Sequence, residues 1–168
     1  MKDIKTILHP TDFSRPCAAA LEVACSLARD HGARLLLLHV IPAGAPPNGA
    51  GKNCRRGAEH EEEDRRSCRE EMATQLQQLP LPGLSEHPEH LLVEGPVVLE
   101  IVRVAEERSC DVIVMGTHGW TGVARQVLGS VAEAVMRQAP CPVIMVKAPL
   151  AVSRKTEEVI PEEVGVIL

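Results

Sequence analysis

The chain has almost no aromatic side chains: one Phe, one Trp and no Tyr in 168 residues. Its core must therefore be aliphatic, and a hydrophobic content of 45% is enough to build one in a single domain of this length. Positive charge is not in excess. The formal net charge is −5, whereas a nucleic-acid surface needs clustered Lys and Arg, so no nucleic-acid partner is expected. No apolar run approaches the roughly 20 residues that span a bilayer, and no membrane partner is expected either. The N-terminus (Met1 to Lys5) runs straight into a strand pattern with no signal-peptide run, which predicts a cytoplasmic protein. Cysteines stand at 17, 25, 54, 68, 110 and 141 without a C-x-x-C pair. Reduced thiols are expected, with Cys25 and Cys110 acting as small buried hydrophobes. Cys54, His60 and Cys68 fit no zinc spacing, so no metal site is predicted.

What the sequence does contain is an alternation of strand and helix patterns. Strands are predicted at Ile4–His9, Arg34–Ile41, Leu91–Val93, Asp111–Met115 and Val143–Lys147. The four-leucine run inside the second suits a strand covered on both faces. A helix follows Ser14, a potential cap, with Pro16 in its first turn and Gly32 as its stop. Leu21, Ala24, Cys25 and Ala28 recur along it at helical spacing. A second helix is predicted at Glu59–Leu79, with Cys68, Met72, Leu76 and Leu79 buried and with Glu61–Arg65 and Glu62–Arg66 pairs on its charged face. A third starts at Gly95-Pro96, with the proline in its first turn, and runs to about Arg108. The last covers Ser130–Gln138. Residues 42–58, rich in Pro, Gly and Ala, are expected to form a flexible loop or lid. Strands alternating with helices imply right-handed βαβ units and a doubly wound parallel sheet of five strands with helices on both faces.

The most informative segment is 116–130. It follows the apolar run at 111–115 and reads Gly-Thr-His-Gly-Trp-Thr-Gly-Val-Ala-Arg-Gln-Val-Leu-Gly-Ser. Glycines at a strand end let the backbone turn and approach a ligand. A helix start beyond them leaves unpaired N–H groups and a partial positive charge, which favour a phosphate. A rival segment, Gly49-Ala-Gly-Lys-Asn53, is not a P-loop: Pro46 and Asn53 stand where that pattern needs Gly and Ser or Thr. No serine nucleophile elbow or histidine triad is present.

Gly116, Gly119 and Gly129-Ser130 have the G-x2-G-x9-G-[S/T] spacing, and the chain resembles the ATP-binding universal stress proteins in it. The segment Ile7-Leu-His-Pro-Thr-Asp-Phe-Ser14 is similar to that family's first strand and acidic turn, and 139–146 resembles its last strand. The resemblance covers residues 1–147 and leaves 148–168 as a tail, disordered or docking. It implies a Rossmann-like sheet in the order 3-2-1-4-5, with strands 1 and 4 beside the switch point where ligands bind. It also implies a nucleotide site. Asp12 would accept hydrogen bonds from the ribose or adenine side, in a wall shaped by Pro10 and Thr11, and the Val40 backbone would lie against adenine. Gly116, Gly119, Gly129 and Ser130 would hold phosphates, with Met115, His118 and Val131 beside them in the same motif.

The implied cofactor is ATP, with or without Mg²⁺. The implied protein is a homodimeric stress-response regulator paired through Val143–Lys147 and acting by binding, with its protein partner unspecified. One departure stands out. Residue 120 is often basic in the family and here is Trp120, so either Arg125 compensates or the indole covers the nucleotide. Two other readings stay open: an interaction module of the same fold that binds no nucleotide, and a slow ATPase, which would need Mg²⁺ and a positioned water.

Overall fold

The computed structural model describes residues 3–42, 58–84, 87–117 and 129–147. Its centre is β1 (Thr6–Pro10), hydrogen-bonded on one side to β2 (Arg34–Pro42) and on the other to β4 (Val112–Gly116). All five residues of β1 and of β4 are buried. This is what apolar runs without polar alternation require, since both faces of a parallel sheet are covered by its crossover helices. β3 (Glu89–Gly95) pairs with β2, and β5 (Val143–Val146) with β4. The sheet is parallel throughout, in the order β3-β2-β1-β4-β5.

Successive strand residues point to opposite faces, so each strand feeds two cores. Ile7, Leu35, Leu37, Val112 and Val114 pack with Leu21, Ala24, Cys25 and Ala28 of α1 (Arg15–His31) and with Leu76 of α2 (Ala58–Gln77). Leu8, Leu36, Leu38 and Ile113 pack with Ile101, Val104 and Ala105 of α3 (Val97–Glu107) and with Ala132 and Val135 of α4 (Ser130–Gln138). The small residues on α1 let that helix approach the sheet closely. Its end is set by Gly32, which is left-handed (φ 60, ψ 34) and sends its N–H back to the carbonyls of the last turn.

Several local expectations are corrected. Ser14 occupies the cap position of α1, but its side chain makes no capping hydrogen bond. Pro96 is the residue before α3 rather than part of its first turn. β3 is longer than its apolar centre suggests, because its pairing with β2 runs from Glu89 to Gly95. Of the predicted stripe only Leu76 is fully buried; Cys68 and Met72 of α2 are half-buried, as is Leu79, which lies just beyond the helix. Arg66 pairs with Glu70 at 3.4 Å, where the sequence suggested Glu62. The predicted loop residues 43–57 and the tail 148–168 lie outside the described residues.

Candidate functional site

Strand order reverses between β1 and β4. The chain leaves β1 toward β2 by α1, whereas β4 is reached by α3 from the opposite face, so the segments beyond the two strand ends diverge. A cleft of about 670 Å³ opens there. Nine of the eleven residues singled out from the sequence line it: Pro10, Thr11, Asp12, Val40, Met115, Gly116, Gly129, Ser130 and Val131. The other two, His118 and Gly119, lie outside the described residues, as do Trp120 and Arg125.

One wall is the turn after β1, fixed by a set of short hydrogen bonds. The Thr11 amide donates to the Leu38 carbonyl (2.8 Å), which prolongs the β1–β2 pairing by one residue. His39 Nδ1–H donates to the Thr11 carbonyl (2.8 Å). The Phe13 amide donates to Thr11 Oγ1 (3.1 Å), and the Ser14 amide to Asp12 Oδ1 (3.0 Å). Asp12 thus serves as a turn residue while lining the cleft. Phe13 is held in the left-handed region (φ 61), and its ring lies 4.5 Å from that of His39. Such a conformation costs a bulky residue about 1–2 kcal/mol and persists only where its surroundings fix it.

The opposite wall is the start of α4. The helical ladder begins at the Glu133 amide, which donates to the Gly129 carbonyl (2.9 Å). The amides of Ser130, Val131 and Ala132 come before that first bond and so have no partner within the helix. Together with the helix dipole they make an anion-favouring end. Glu133 in the first turn would oppose an anion, but Arg137 pairs with it at 3.0 Å. The Gly129 amide is already committed to the Thr117 carbonyl (2.7 Å), and the Thr117 amide to the Val146 carbonyl (3.0 Å). What Gly129 offers the cleft is therefore space rather than a donor.

Burial keeps the two histidines and the thiol nearest the turn after β1 uncharged at neutral pH. His9, fully buried, donates Nδ1–H to the Val114 carbonyl (2.8 Å), and burial lowers its pKa to about 4. Its Nε2 lies 3.9 Å from the Cys17 thiol, which donates to the Pro10 carbonyl (3.4 Å) and whose pKa is raised by burial. Burial likewise lowers the pKa of His39. Sequence reasoning missed His39, Cys17 and Thr117 as lining residues, and also Met72 and Gln75, one helical step apart on α2. Thr117 was within reach, since it follows Gly116 inside the motif. Met72 and Gln75 carry no local signal, because only the tertiary fold brings α2 to the cleft. Among the described residues no group of three His, Cys, Asp or Glu is placed to hold a metal ion, and no helix is long and apolar enough to cross a membrane.

These features define a class: a doubly wound α/β domain with a ligand-sized cleft at its topological switch point. Comparison with known proteins narrows the class. Residues 3–147 match the universal stress protein family, and the chain belongs to that family. It is 34% identical over 149 residues to universal stress protein MJ0531 of Methanocaldococcus jannaschii, an overlap of 86% of this chain and 83% of that one. The solved structure of MJ0577, a universal stress protein of the same organism, is similar with a TM-score of 0.76 and 30% identity, over 89% of this chain and 100% of that one. Two more distant structures share the fold. A universal stress protein in complex with cAMP is 21% identical (TM-score 0.57), over 88% of this chain and 100% of that one. The Archaeoglobus fulgidus protein in complex with dAMP is 23% identical (TM-score 0.51), over 87% and 99%.

Proposed function

We propose that this chain binds ATP in the cleft between β1 and α4 and acts as a homodimeric regulator whose output is binding rather than turnover. The observation that carries the reading is the polarity of the cleft. Ser130, Val131 and Ala132 present first-turn amides on one wall, suited to phosphate, and Asp12 stands on the other, where a carboxylate suits hydroxyl or amino donors and repels phosphate. The volume of about 670 Å³ lies in the range of small-molecule sites. Two proteins of the same fold are held with cAMP and with dAMP, which supports an adenine nucleotide as the first ligand to test. In this reading the Val40 backbone lies against adenine, Asp12 takes the ribose side, and Gly129 leaves room for the phosphates. From the sequence motif, Gly119 and His118 are proposed as further phosphate-binding residues.

Trp120 is the chain's single tryptophan and lies within the motif 116–130, so its fluorescence reports on that segment alone. Saturating ATP with Mg²⁺ is expected to change the emission and to raise the melting temperature, as a ligand that binds only the folded state must. ATP recovered from the complex is expected to be intact. If neither signal moves, nucleotide binding is wrong; if phosphate is released at a steady catalytic rate, the binding-only output is wrong. Asp12→Ala should weaken ATP by roughly 1–3 kcal/mol, about 5- to 150-fold, read by titration calorimetry.

A further inference from the structure

The cleft at the switch point opens across the end of the sheet and so has a lobe on each face. Val40, Met115 and Ala132 belong to the core on the α3 and α4 side. His39 alternates with Val40 along β2 and shares the face of Leu35 and Leu37, which pack with α1 and with Leu76 of α2. The lobe on that side is lined by Phe13, His39, Met72 and Gln75. Leu76, 1% exposed, anchors α2 there. Because α2 joins two parallel strands, it runs antiparallel to them. Its side chains tilt toward its own N-terminus, which is toward the strand ends and the cleft. Met72 and Gln75, three residues apart, share one side of the helix.

Most polar groups of this lobe are spent. His39 gives its Nδ1–H to the Thr11 carbonyl, and Thr11 Oγ1 accepts from the Phe13 amide. Gln75 is half-buried, and its side chain makes one long hydrogen bond, from Nε2 to Glu71 Oε1 (3.4 Å). Nε2 carries a second hydrogen, so the carboxamide offers the cleft a donor beside an acceptor. That pair complements N7 and the N6 amino group of adenine, and mismatches guanine, whose N7 and O6 both accept. The other edge of the base is met by the backbone. β1 ends with Pro10 opposite Leu38, and the Thr11 amide takes the Leu38 carbonyl. The N–H and C=O of Val40 point to the same side as those of Leu38, into the space beyond β1, where they match N1 and N6. Resting on the nucleotide reading above, we propose that Gln75 selects the base: Nε2–H donates to N7, Oε1 accepts the second N6 hydrogen, and the Met72 thioether packs on the ring.

The test compares ATP with 7-deaza-ATP, in which a C–H replaces N7, by titration calorimetry on the full chain with Mg²⁺. The two share the triphosphate, the ribose and the N1–N6 edge, so the ratio of their affinities isolates the N7 contact from Asp12 and Val40. The parent is expected to bind ATP about 2- to 12-fold more tightly than 7-deaza-ATP, the size of one net hydrogen bond. Gln75→Met keeps the length of the side chain and removes both polar groups, so it should weaken ATP and bring the ratio to one. Gln75→Glu keeps the shape and an acceptor for N6 but has no donor for N7, and it should lose the ratio as well. Equal affinities in the parent, or a preference for ATP that survives either variant, would overturn the role of Gln75 and leave the nucleotide site standing. A parent that binds neither compound would instead remove the nucleotide reading, and this inference with it.

Discussion

His9 lies wholly inside the protein at the end of β1, and its proton inventory affects stability more than its chemistry affects the cleft. In the unfolded chain it titrates near 6.5, while in the folded chain burial holds it to about 4. Between those values the unfolded state binds a proton that the folded state refuses. Stability is therefore full above pH 6.5 and falls as pH drops toward 4, by an amount on the order of 3 kcal/mol. Burial lowers the pKa of His39 as well, so it adds to the loss in the same sense. Urea unfolding at pH 7, 5.5 and 4.5 should show the decline, and His9→Gln should flatten most of it; an unchanged slope in the variant would assign the effect elsewhere. Ser14 gives the opposite lesson. A working cap costs about 1 kcal/mol when replaced by Ala, but this hydroxyl caps nothing and is unpartnered. Ser14→Ala should therefore stabilise the fold, by about 1–3 kcal/mol, in the same unfolding measurement. Neither environment was legible in the sequence. Ile7-Leu-His-Pro reads as an apolar run with one polar interruption, and only the β4 carbonyl that receives His9 explains why it is tolerated.

Elements were easier to read, because periodicity and chain breakers are local. The residues that locate α1 (Gly32, and the stripe of Leu21, Ala24, Cys25 and Ala28) act within one helix, and α4 was legible to its residue limits. β3 was read short because Glu89, His90 and Glu94 give no apolar signal; their inclusion is decided by pairing with β2 across the sheet. Two glycines separate what the fold needs from what the site needs. Gly32 is left-handed, and a Cβ there would meet nothing within 4 Å. Gly32→Ala should therefore cost the backbone term alone, about 1 kcal/mol, seen as a fall of about 2–4 °C in melting temperature. Gly129 has φ −71 and ψ 151, which any residue adopts. The backbone does not require glycine there, so Gly129→Val should melt within about 2 °C of the parent while losing ATP binding because its side chain fills the space proposed for phosphate. A variant that binds ATP normally would remove Gly129 from the site.

At the scale of the whole molecule, the sheet order follows from where helices can cross, and the cleft follows from the sheet order. The family resemblance made nine lining residues readable in advance, and each lies at the end of β1, β2 or β4, in the turn after β1, or at the start of α4. Met72 and Gln75 of α2 and Val97 and Ile101 of α3 line the same cleft, and they were not readable. Their place depends on how two helices on opposite faces overhang the strand ends, which is a packing outcome with no short-range signature.

The same sheet order leaves β5 with one neighbour, and the ladder shows which of its groups are spent. The Ile113 amide donates to the Pro142 carbonyl (3.0 Å) and the Thr117 amide to the Val146 carbonyl (3.0 Å). A strand residue points its N–H and C=O to the same side, so Pro142, Ile144 and Val146 face β4, and Val143 and Met145 face the open edge. All four residues of β5 are apolar and only half-buried, a combination that invites pairing with another strand. A second copy can supply that strand about a two-fold axis. Dimer formation through β5 is therefore expected in sedimentation at micromolar concentration, and two proline variants should dissect it. Met145→Pro removes a donor from the open edge and spares the β4 ladder, a placement proline tolerates; it should give a folded monomer with the parent's circular dichroism. Ile144→Pro removes a donor to β4 and should destabilise the fold itself. A parent that sediments as a monomer would exclude the pairing. So would a Met145→Pro chain that stays dimeric, since β5 would then not be the strand that joins the two copies.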